Sequence, residues 1–137
     1  MKKLSSLFCV MVLSLIGVFS FGTDKASADT TTGWGYFATE DGRWDGKVTT
    51  TSADNNIRVH FRYLWKTDGY GANPAYPGNL WVRLCNASTG ACTATKEMYG
   101  DQTYVTFTGM KIGTFYLDVQ DGFSWLYIYG ERKIDAY

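Results

Sequence analysis

From Ile57 to Trp65 the chain alternates with a period of two. Ile57, Val59, Phe61, Tyr63 and Trp65 fall on one phase, and Arg58, His60, Arg62 and Leu64 on the other. Such alternation places the first set on one side of an extended strand. An apolar face backed by a basic, polar one belongs to an antiparallel sheet with one wet side. Shorter runs repeat the pattern. Leu80, Val82 and Leu84 alternate with Trp81 and Arg83, Phe115, Leu117 and Val119 with Tyr116, Asp118 and Gln120, and Trp125, Tyr127 and Tyr129 with Leu126 and Ile128. Tyr104–Thr108 is rich in β-branched and aromatic residues.

Adding 34–38, 47–51 and 93–96 gives about eight strands, separated by turn formers. Among these are Asp41-Gly42, Asp45-Gly46, Asp54-Asn55-Asn56 and Asp121-Gly122. The expected fold is all-β, an antiparallel β-sandwich of about seven to eight strands, with a small β-barrel as the alternative.

Residues 1–28 have the layout of a secretory signal peptide, which is expected to be helical. Lys2 and Lys3 precede an apolar run from Leu4 to Phe21, and Ala26-Ser27-Ala28 forms an A-x-A cleavage site. Cleavage after Ala28 leaves a single secreted domain, 29–137, with Asp29 at its start and no transmembrane anchor. The layout resembles that of a Gram-positive exported protein, so the expected location is extracellular. Loss of Lys2, Lys3, Lys25 and Asp24 changes the balance from 13 basic and 13 acidic residues to 10 and 12. That balance argues against a nucleic-acid partner, which calls for a basic excess.

Two cysteines remain after cleavage, Cys85 and Cys92, an even count in an oxidising compartment. The Ser88-Thr89-Gly90 segment between them is turn chemistry, so a disulfide across the arms of one hairpin is expected. Residues 29–137 hold only 19 Ile, Leu, Val and Phe against 15 Trp and Tyr. This ratio predicts a core built from aromatic rings.

The longest interruption between strands is 66–79. It contains Asp68, Tyr70, Asn73 and Tyr76 and is followed by Trp81. Flat rings beside carboxylate and amide groups suit a sugar, whose C–H face stacks while its hydroxyls are hydrogen-bonded. Tyr70, Tyr76 and Trp81 are the candidate stacking residues, and Asp68 and Asn73 the candidate hydroxyl partners. Trp125, Tyr127 and Tyr129 share one phase, either core or exposed platform, because Leu126 and Ile128 compete for the inside. Arg58, His60 and Arg62 form a basic strip, with Arg83 as a candidate extension.

Glu40, Asp41, Asp45, Asp118 and Asp121 are the carboxylates available for glycoside hydrolysis, although Asp41-Gly42 and Asp45-Gly46 read more simply as turns. The residues suggest no metal or cofactor site and no catalytic nucleophile, since one His and a disulfide pair leave little to build one from. The functional expectation is a secreted, non-catalytic binding protein that recognises glycan or the cell-envelope surface through exposed aromatics. The alternatives are an antibacterial effector or enzyme inhibitor acting on a protein or membrane, and a small carboxylate-dependent hydrolase.

Overall fold

The computed structural model describes residues 30–137. The signal segment, its cleavage site and Asp29 lie outside the described residues. Ten strands follow in order: β1 (Thr30–Thr31), β2 (Gly35–Ala38), β3 (Gly46–Thr50), β4 (Ile57–Thr67), β5 (Ala72–Pro74), β6 (Leu80–Asn86), β7 (Lys96–Glu97), β8 (Tyr104–Phe107), β9 (Gly113–Asp121) and β10 (Tyr127–Ala136). They form two antiparallel sheets packed as a sandwich. In the first, the long central pair β4 and β10 is flanked by β1 and β2 on the β10 side and by β5 and β8 on the β4 side. The second has the order β3-β9-β6-β7. Among the described residues no helix is long and apolar enough to cross a membrane.

The core is mainly aliphatic, with Phe37, Phe61, Phe107 and Phe115 as its rings, which corrects the expectation of one built from aromatics. Of the Ile, Leu, Val and Phe among the described residues, all but Val105, Ile112 and Phe123 are buried in a single cluster, joined by Met98 and Ala136. No Trp or Tyr belongs to it. The aliphatic count is low, yet the two inner faces need only every second residue of each strand. Those positions are the ones that Val82, Leu84, Leu117, Val119, Ile128 and Ile134 occupy.

A β-bulge overturns part of the pattern read from β4. Trp65 pairs with Tyr129 and Arg62 with Glu131, so Tyr63 and Leu64 together face Gly130 alone. Tyr63 takes the left-handed conformation, with φ 54°. An extra residue on one strand inverts the phase beyond it. Ile57, Val59 and Phe61 point inward as expected, but past the bulge Leu64 is buried while Tyr63 and Trp65 are exposed. Gly130 is required here, because a Cβ would lie 2.9 Å from the carbonyl oxygens of Arg62 and Tyr63 and from Leu64 Cδ2.

The Cys85–Cys92 disulfide joins the two arms of a tight hairpin. Asn86 N donates to Ala91 O, and Asn86 Oδ1 accepts from the amides of Ser88 and Thr89. The 66–79 segment is more ordered than the sequence suggests. β4 runs on to Thr67 and turns back through a hairpin onto β5, and Pro77–Asn79 forms a 3₁₀ turn.

Asp45-Gly46 is not a free turn, although Asp41-Gly42 is one: Asp41 Oδ1 accepts from Arg43 N and Gly42 has φ 70°. Asp45 is buried, its Oδ2 accepting from Val119 N at 2.7 Å, and Arg132 Nε donates to its backbone carbonyl.

Candidate functional site

The outer face of the first sheet is tiled with rings. Tyr36 stands on β2, Tyr63 and Trp65 on β4, Tyr104 on β8, and Tyr127 and Tyr129 on β10, with Trp34 and Tyr137 just outside the strands. Trp125, Tyr127 and Tyr129 therefore belong to the exposed side, while Leu126 and Ile128 fill the inside. The outward phase expected of Trp81 on the second sheet also holds, with 38% of its surface exposed.

The face divides into two halves. In one, cations already lie over the rings. The Arg62 guanidinium sits 4.0 Å from the Trp34 ring centre and 4.9 Å from that of Tyr63. Arg58 lies 5.0 Å from the ring of Tyr104 and 4.8 Å from that of Tyr137. Carboxylates are interleaved: Glu131 holds Arg62 at 2.6 Å, and Asp135 Oδ2 takes His60 Nε2 at 2.9 Å and Lys133 Nζ at 3.3 Å. Burial lowers the pKa of His60, with Asp135 opposing. Arg83 does not extend this strip. It lies on the second sheet, paired with Asp118.

In the other half, no cation among the described residues covers a ring. Tyr36 and Tyr129 have centroids 6.4 Å apart, and Tyr129 and Tyr127 are 6.1 Å apart. Trp65 is across the ladder from Tyr129. Burial, then Tyr127, Asp41 and Tyr129, raise the pKa of the Tyr36 phenol.

This half borders a cleft of about 400 Å³. Thr67, paired with Tyr127, is on its wall, as are Asp68, Tyr70, Asn73, Phe123 and Trp125. Asp68 closes the hairpin by accepting from the amides of Tyr70 at 2.9 Å and Gly71 at 3.3 Å, and these bonds hold its carboxyl below the usual range. With Asp68 so held, Tyr70 stands 99% exposed.

Comparisons with protein-family models, curated proteins and solved structures find no match.

Three of the five residues grouped by the sequence thus share one cleft. The other two do not line it. Tyr76 caps the 3₁₀ turn, its amide donating to Asn79 Oδ1, and Trp81 lies against Gly122 on the second sheet. Nearness along the chain grouped them, and the fold sends them to different surfaces. In exchange it supplies Trp125 and the Tyr36–Tyr129–Tyr127 row, whose signal in the sequence was the shared phase of 125, 127 and 129.

The acidic residues meet elsewhere. A cleft of about 470 Å³ is lined by Glu40, Asp41, Trp44, Asp118 and Asp121, with Trp44 stacked on Tyr116 at 5.3 Å. Asp118 is engaged by Arg83 and Gln120, and Asp121 by the Thr39 hydroxyl and the Phe123 amide. Burial pushes the Asp45 carboxyl up to about 7. Among the described residues no group of three or more His, Cys, Asp or Glu is placed to hold a metal ion.

Proposed function

We propose that this chain is a secreted, non-catalytic binding domain that recognises a glycan of the cell envelope or its surroundings. The observation that carries this reading is that all 5 Trp and 10 Tyr lie outside the core. Exposing large rings costs the hydrophobic free energy their burial would provide, and contiguous exposed apolar surface marks an interaction site. Trp65, Tyr127, Tyr129 and Tyr36 offer uncovered faces for stacking, and Asp68 and Asn73 at the adjoining cleft offer hydroxyl partners. Tyr70 and Trp125 close round a sugar that enters the cleft.

The test is a pull-down of the purified protein with cell walls and insoluble polysaccharides. Retention of the parent and loss of retention in a Trp65→Ala/Tyr127→Ala variant support the reading. Equal retention of the two overturns the site, and no retention on any polymer overturns the function.

A second reading, an effector acting on a protein or membrane, draws on the cations interleaved with the rings of the same face. Growth inhibition or vesicle leakage, without polymer binding, favours it.

A further inference from the structure

We propose that the glycan is acidic, and that one of its carboxylates docks at Arg58, roughly 20 Å along β4 from Trp65. This rests on the binding reading above.

The separation follows from strand geometry, six steps of about 3.3 Å once the bulge is discounted. Charge then distinguishes Arg58 from its neighbours. Arg62 is neutralised by Glu131, and Lys133 and His60 share Asp135 Oδ2. Arg58 has no carboxylate within 4.0 Å among the described residues. Its Nη2 donates to the Tyr137 hydroxyl at 3.1 Å. Its Nε is enclosed without a hydrogen-bond partner, and so is Asp135 Oδ1 across the ladder. Among the described residues Arg58 is therefore the uncompensated cation of the outward phase of β4 and β10, while Lys66, also without a carboxylate, lies over Phe123 in the cleft. Arg58 is partly withdrawn from water, where an anion is attracted more strongly than at an exposed, ion-paired arginine.

The surroundings select the shape of the anion. Tyr104 belongs to β8 and Tyr137 follows β10, so rings flank the guanidinium from the strands on both sides of β4. With Nε enclosed and a ring on either side, the Nη1–Nη2 end of the fork is the part left to a ligand. A flat carboxylate fits that end, with two oxygens in the plane of the fork. A tetrahedral phosphodiester turns oxygens out of the plane, toward the rings. The ligand is accordingly a polysaccharide with uronate-type carboxylates, laid along β4 and β10 with sugar faces on Trp65, Tyr127 and Tyr129.

The experiment measures binding of the purified protein to polygalacturonate, to its fully methyl-esterified form and to poly(glycerol phosphate), at low and high salt. Polygalacturonate is expected to bind most tightly and to weaken with salt. Arg58→Gln is expected to lower that affinity about tenfold, the loss of one charge-assisted hydrogen bond, and to leave the methyl ester unaffected. Arg58→Lys, which keeps the charge but not the fork, falls between. Tyr137→Phe keeps the ring, frees Nη2 and stays within about twofold of the parent, on the same scale. Circular dichroism checks that each variant is folded. Unchanged polygalacturonate binding in Arg58→Gln, alongside loss in Trp65→Ala, overturns the role of Arg58 and leaves the glycan reading standing. Poly(glycerol phosphate) binding as tightly as polygalacturonate overturns the carboxylate assignment. Failure to bind any polymer, neutral or acidic, overturns both.

Discussion

Trp65 of β4 stands directly opposite Tyr129 of β10, both rings on the outer face. The pairing exists because Gly130, next along β10, faces the bulge in β4. Without that extra residue Trp65 would point into the core and the uncovered half of the face would lose its largest ring.

Gly130→Ala tests this dependence. Two of the three atoms that its Cβ would strike are backbone carbonyl oxygens, which cannot swing aside. The substitution is expected to destabilise by about 3 kcal/mol, as steric overpacking does. Urea denaturation followed by circular dichroism measures it. A cost under about 1 kcal/mol would show that the ladder slides to relieve the clash.

Ring truncation on the face and in the core is expected to separate binding from stability. Trp65→Ala and Tyr127→Ala remove side chains that are 40% and 39% exposed, and are expected to cost no more than about 1.5 kcal/mol of stability while lowering polymer affinity about tenfold. Phe61→Ala removes a ring that is 3% exposed and packs on Phe37. It is expected to cost about 3–5 kcal/mol and to leave the affinity of the folded fraction unchanged. Parallel denaturation and calorimetry check both.

Asp45 gives the fold a pH dependence of defined sign. Its pKa rises from 3.8 to about 7 on folding, first through burial and then through Asp41 and Asp118, against the Val119 amide bond. The native state therefore binds the proton more tightly than the unfolded chain. That contribution is complete below about pH 4 and is lost as pH rises through about 7. Asp45→Asn keeps an acceptor for Val119 and removes the titration. Its stability relative to the parent is expected to climb between pH 4 and pH 8, by up to about 4 kcal/mol. A flat difference across that range would mean that the carboxyl is solvated.

Breaking the Cys85–Cys92 bridge releases a loop of about eight residues, which the chain-entropy relation values at about 2.5 kcal/mol. A Cys85→Ser/Cys92→Ser variant is expected to lose that amount in denaturation while keeping polymer binding. Cys85 is 2% exposed, so a larger loss would report the buried hydroxyl as well.

Local patterns carried much of this architecture. The phases of β6 and β9 are plain in Leu80–Leu84 and Phe115–Gln120, because each inward residue is aliphatic or Phe and most outward ones are polar. The hairpin bridge follows from spacing and turn residues. The inversion at Tyr63 is not local: it depends on a glycine 67 positions later, on another strand. The burial of Asp45 depends likewise on an amide of β9, 74 positions away. The candidate site was half legible for the same reason. Asp68, Tyr70 and Asn73 are neighbours along one hairpin, but Trp125 and the tyrosine row reach them only through pairing of β4 with β10.

With every indole of this protein in contact with solvent, its native emission spectrum should already lie near that of the denatured chain. Intrinsic fluorescence is thus a poor gauge of folding here and a good gauge of occupancy. A guest laid over Trp65 or Trp125 would strip water from the indole and shift its colour toward the blue, while denaturant would change little.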